Sequence, residues 1–200
     1  MNREGLPFKI LGLDHVAVAV KDILKWKNMY LLMGARVFYE TNDASPKGSS
    51  SMKLCGVKLG EYSVALIEGI DREEISQVSA FVKKHGDHSF QHVAVAVDNI
   101  YSFVEWATVN HFHFLGHIQE SKDAFGDVKQ VFARKFDKDL PPDEAPFYEF
   151  VERPNQEGRF ISADSFRDEF AQEFFLEIER AQKGHEDEIF FDTEKTVLGA

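Results

Sequence analysis

The sequence predicts an α+β protein made of two βαβββ modules in series. Three observations carry that reading. The hexapeptide HVAVAV occurs twice, starting at His15 and again at His92. Each copy then changes from strict alternation to a helical rhythm. Each finally runs through three strand-like stretches separated by turn residues. A repeat is read before anything else, because it sets the architecture.

The elements follow in order. HVAVAV alternates and is rich in valine, so it reads as a strand. In the first module, 11–70, the helix carries Ile23, Trp26, Met29 and Tyr30 on one face, a spacing of i, i+3, i+6, i+7. The strands ARVFYE, SMKLCGVKL and SVALIEG follow, with polar TNDASPKGSSS and the turn GEY between them. EEISQVSAFVKK forms a linker helix within 71–87. In the second module, 88–153, Ile100, Phe103, Trp106 and Ala107 repeat the helical face. HFHFLGHI, VKQVFARKF and FYEFVER supply its strands. A closing helix is expected over 162–182, capped by Ser162 or Asp164, with Phe166, Phe170 and Phe174 spaced i, i+4, i+8. Residues 1–182 read as a single domain, and 183–200 as an acidic, mobile tail.

Composition bounds the function. With 44% hydrophobic and 28% charged residues, the chain reads as a soluble globular protein. Nineteen phenylalanines predict an aromatic-rich core or pocket. A net charge of −11 argues against nucleic acid or an anionic membrane as partner. Cys55 is the one cysteine, so no intrachain disulfide can form and a cytoplasmic location fits. The first residues carry no apolar run that would read as a signal peptide. No stretch approaches the ~20 apolar residues of a membrane span.

Alternation makes the repeat chemically informative. His15, Ala17 and Ala19 share one strand face, and Val16, Val18 and Val20 the other. The same split groups His92, Ala94 and Ala96. The valine face can pack on the following helix. A histidine beside two methyl-sized side chains predicts a cavity on the other face.

Two modules that each open H-V-A-V-A-V-x-(D/N)-I resemble the vicinal oxygen chelate superfamily over roughly residues 11–175. The resemblance implies one curved sheet forming a barrel around a metal, with ligands from the first and last strands of each module. His15 and His92 match the first-strand ligands, and Glu149 in FYEFVER matches the last-strand ligand. Glyoxalase I and methylmalonyl-CoA epimerase place Glu or Gln at the fourth position, where this chain has Ala65. Glu68 has the opposite parity and is expected to face away, as is Glu152. Two histidines and one carboxylate are the facial triad of non-haem Fe(II) oxygenases.

The second module sharpens the match. QHVAVAV, KQVFARKF, FYEFVERPNQEGRF and SFRDEF run in the order of the metal-bearing barrel of 4-hydroxyphenylpyruvate dioxygenase. By that resemblance Gln130 contacts substrate, Phe132 and Phe147 sandwich its ring, and Phe166 belongs to a lid helix. Ile67 stands where that family has an asparagine approaching the substrate. The resemblance therefore implies an Fe(II)-dependent dioxygenase using O₂ on an aromatic or related 2-oxo acid, with the substrate itself changed. Pairing of sheets in the superfamily makes a homodimer a further expectation. Two other readings remain open: a metal-dependent isomerase or lyase of the epimerase or glyoxalase type, and a ligand-sequestering protein of the bleomycin-resistance kind. His111 and His113 share a face but read as an exposed strand edge. His85 and His88 read as linker.

Overall fold

The computed structural model describes residues 5–122, 125–154, 160–168, 171–172, 175–176 and 189–191. Its core is one curled eight-stranded sheet, with α-helices between its strands, which is the α+β curved sheet the sequence predicts. The first module supplies β1 (Ile10–Ala19), α1 (Ile23–Leu32), β2 (Arg36–Thr41), β3 (Ser50–Leu59) and β4 (Tyr62–Asp71). After α2 (Gln77–His85) the second supplies β5 (Ser89–Val97), α3 (Ile100–Val109), β6 (Phe114–Lys122), β7 (Asp127–Ala133) and β8 (Phe147–Glu152). The strand order is β2-β3-β4-β1-β5-β8-β7-β6, so the modules join through their antiparallel first strands.

The duplication is visible in the contacts. Asp22 caps α1 and Asn99 caps α3, each side chain accepting from the backbone N–H three residues on. Glu68 accepts from the backbone N–H of Ile23, and Glu152 from that of Ile100, at 2.7 and 2.8 Å. These carboxylates satisfy orphan amides at helix starts and take a lysine each, Lys53 and Lys129. Both acids therefore sit on the outer face, as parity predicts.

The two sheet faces divide as the alternation suggests. Val16, Val18 and Val20 pack with Tyr30, Val57, Val64 and Leu66 under α1. Ala17 and Ala19 join Met52, Leu54, Ile67, Phe81, Phe132 and Phe147 on the concave side. Met29 departs from its expected helix face: it is exposed, and Tyr30 is the buried residue of that turn. Gly60 has φ +60° in the two-residue turn joining β3 to β4, a conformation that needs no Cβ.

Three boundaries differ from the sequence reading. The linker helix starts only at Gln77, capped by Ser76, because β4 runs on to Asp71. The closing segment is not helical over 161–167; among the described residues helix begins at Asp168. Neither expected N-cap caps, because both are used elsewhere. Lys58 Nζ donates to Ser162 Oγ and to the Ser162 and Ala163 carbonyls at 3.0–3.3 Å, and Asp164 pairs with Arg36. Phe170 and Phe174 lie outside the described residues. In the region read as a mobile tail, Phe190 is buried against Phe112, Phe114 and Phe150, and its backbone exchanges hydrogen bonds with Lys135 and His113.

Candidate metal centre

The strand registers bring the candidate ligands to one point. His15 on β1 lies opposite Ala94 on β5, and Ala94 lies beside Glu149 on β8. The mirror relation puts His92 opposite Ala17 and Ala17 beside Ala65 on β4. Ala65 is thus the first module's counterpart of Glu149, reached through the ladder alone.

His15 Nε2 and His92 Nε2 each stand 3.3 Å from Glu149 Oε2, and all three residues are buried. Among the described residues they are the one group of three potential ligands whose donor atoms lie within 4.8 Å of one another. Donors sharing an ion at ~2.1 Å sit ~3 Å apart when at right angles, so the set fits a divalent metal. The rest of the wall offers no second acid: Ala65, Ile67, Leu54 and Ala171 are aliphatic, Phe166 is aromatic and Gln130 is an amide.

The imidazoles are aimed from behind. Asp14 Oδ2 lies 2.8 Å from His15 Nδ1, and Gln91 Oε1 lies 3.2 Å from His92 Nδ1. Strict alternation would put Asp14 and Gln91 on the far face. A register shift between Leu13 and His15 leaves Asp14 as an extra residue, and another between Ala17 and Val18 leaves Gln91 extra on β5. Such bulges re-aim a side chain. Here they turn each residue preceding a histidine back towards its ring. Period-two reasoning misses both residues; the only sequence signal is a hydrogen-bonding side chain before each repeated histidine, DH and QH.

Charge is concentrated in this cluster. Burial would lower His15, but the Glu149 charge and the Asp14 hydrogen bond outweigh it and raise its pKa to about 9. Burial would raise Glu149; the His15 charge and hydrogen bonds from both imidazoles instead bring it down to about 2. For His92 burial prevails and the pKa falls, Glu149 opposing only in part. Burial would likewise raise Asp14, but Arg153 and His15 hold it well below the usual carboxylate range.

These shifts set a pH window for the metal-free protein. The raised His15 contributes stability fully below 6.5 and loses it as pH rises through about 9. The depressed Glu149 contributes fully above 4.5 and loses it as pH falls through about 2. With chelator present, thermal stability should therefore be highest near pH 6.5, because the lowered His92 costs stability below that value, and should decline towards pH 9. Glu149→Gln should flatten the alkaline limb, because it removes the charge that raises His15. Melting curves against pH, wild type beside variant, check this; an unchanged alkaline limb contradicts it.

A cavity of about 380 Å³, partly open to solvent, adjoins the cluster. Of the residues expected at the site, His15, Ala65, Ile67, His92, Gln130, Glu149 and Phe166 line it, together with Leu54 and Ala171. Phe132 and Phe147 stand further back. The Phe147 ring stacks on His92 at 4.8 Å, and the two phenylalanine rings meet edge-on at 79°. Phe166 lies edge-on to His15 at 5.3 Å and touches Phe38 at 5.2 Å. Phe38 reaches it by lying over Gly56, where a Cβ would come within 2.6 Å of the ring. His111 and His113 are exposed and lie ahead of β6.

Two βαβββ modules joined through their first strands, with donors from both facing one cavity, define a double-module curved-sheet protein of the vicinal oxygen chelate type. The chain belongs to the glyoxalase/bleomycin resistance protein/dioxygenase superfamily, whose sequence model matches residues 14–132. No curated protein sequence matches the chain. Among solved structures it is similar to a mutant 4-hydroxymandelate synthase from Streptomyces coelicolor, with a TM-score of 0.69 and 19% identity over 87% of the chain. The chain spans only 55% of that synthase. It is also similar to methylmalonyl-CoA epimerase from Mycobacterium tuberculosis, with a TM-score of 0.53 and 18% identity over 77% of this chain and 93% of that one. A hypothetical protein from Bacillus halodurans matches with a TM-score of 0.52 and 21% identity over 75% of this chain and 97% of that one. At these identities the likeness is one of fold. Among the described residues, no helix is long and apolar enough to cross a membrane.

Proposed function

We propose that the chain is a non-haem Fe(II)-dependent dioxygenase acting on an aromatic or related 2-oxo acid. The observation that carries this reading is the count of donors: two imidazoles and one carboxylate converge, and a methyl group occupies the matching position on β4. His15, His92 and Glu149 would hold the iron, which when bound would supply the chemistry that joins O₂ to the oxo acid. The protein's own part is orientation and exclusion of water. Leu54, Ile67 and Phe166 give the cavity apolar walls. Gln130, fully buried and lining the cavity, offers a polar contact, since its Oε1 has no hydrogen-bond partner among the described residues. Small-molecule substrate and O₂ are the partners this requires.

Anaerobically purified protein, loaded with Fe(II) and offered a panel of aryl-substituted 2-oxo acids, should consume O₂ with at least one of them. Solvent proton exchange without O₂ uptake, fastest with cobalt or nickel, would instead mark an isomerase using the metal as a Lewis acid. Ligand binding indifferent to metal removal would mark a sequestering protein.

A further inference from the structure

We propose that Asp14 and Arg153 form a positioning pair that fixes His15 for the metal and ties that ligand to the closing segment bearing Phe166. The inference rests on the metal-centre reading and goes beyond it, since neither residue is a candidate ligand.

Asp14 is fully buried, and both its carboxylate oxygens and its backbone carbonyl are engaged. Its carboxylate takes the His15 ring on one side and Arg153 on the other, Nε to Oδ1 at 2.6 Å and an Nη to Oδ2 at 3.0 Å. This two-point contact holds the carboxylate plane, and the carboxylate holds the ring. The backbone carbonyl of Asp14 accepts from the Ala163 N–H at 3.0 Å. Arg153, just past the end of β8, also places its guanidinium 6.0 Å from the centre of the Phe166 ring, which in turn touches His15. Asp14 is therefore a junction. One of its bonds aims a ligand, another anchors the strap, and the partner of its carboxylate supports the ring that covers that ligand.

The second imidazole is backed differently among the described residues. Its backing group is the neutral Gln91 at 3.2 Å. A carboxylate behind an imidazole raises the donor strength of the opposite nitrogen more than an amide does. The two ligands are accordingly unequal: His15 is the strongly held donor and His92 the weaker one.

The test uses Co(II) binding and the visible spectrum of the Co(II) protein, neither of which depends on turnover. Asp14→Asn should weaken Co(II) affinity by about 10–100-fold and shift the ligand-field bands. Arg153→Met keeps the stem, removes the clamp, and should weaken binding less, in the same direction. The double variant should bind no worse than Asp14→Asn alone, because Arg153 acts through Asp14. Amide exchange at Ala163 should accelerate in Asp14→Asn. Unchanged affinity and spectrum in Asp14→Asn, or additive losses in the double variant, overturn the proposal. Should Asp14→Asn fail to fold, Arg153→Met decides alone: wild-type affinity and bands in that variant overturn it. A wild-type chain that binds no Co(II) refutes the metal centre itself, a different result from any of these.

Discussion

Glu149→Ala should cost the protein its metal. The side chain supplies the only carboxylate among the clustered donors, and its Oε2 is 3.3 Å from both imidazole nitrogens. Removing it would leave a divalent ion facing two neutral rings in an apolar cavity, with no anionic ligand. Groups that merely support ligands change affinity 10–100-fold, so loss of a ligand should exceed ~100-fold. The variant should retain less than stoichiometric iron after desalting, and O₂ uptake should vanish with it. His15→Ala and His92→Ala should also lose metal, His15→Ala the more, because its ring is backed by the Asp14 carboxylate and that of His92 by an amide. Wild-type iron content in Glu149→Ala would remove the basis of the ligand assignment.

Ala65→Glu should close the coordination shell. Ala65 stands beside Ala17 as Glu149 stands beside Ala94, and the opposed residues are His92 and His15. The symmetry of the sheet therefore places a carboxylate grafted at 65 where Glu149 stands on the other half. Its methyl already lines the cavity, so the longer side chain enters open space rather than packed core. Metal should bind more tightly. O₂ consumption should fall to background, because a position needed by substrate or O₂ is filled. Competitive chelator titration reads the first effect and oxygen electrode traces the second. Full oxygenase activity in this variant would mean that β4 does not face the reacting positions.

Much of this was legible in the chain because a duplicated motif and a two-residue period are both strong signals. The valine face, the small-residue face and the outward Glu68 and Glu152 follow from them; the curved double sheet is what the family resemblance implies. Asp14 and Gln91 do not, because a bulge suspends alternation at the residues that aim the histidines. Arg153 is hidden for another reason: its partner is distant in sequence, and nothing local marks an arginine after a strand as a clamp. The closing segment was misread because Ser162 and Asp164 look like caps, and only the tertiary contacts to Lys58 and Arg36 show them serving as anchors. Phe190 lies in an acidic stretch whose composition conceals two consecutive aromatics.

The halves of the sheet are near-copies, yet the acid survives on only one of them. An ion held on the seam would meet the Glu149 carboxylate on the β8 side and only the Ala65 methyl on the β4 side. On the proposed function, a substrate held by such an ion would meet it on the β4 side and present one of its two faces to the attacking group. The handedness of a product would be written by which duplicate kept its carboxylate.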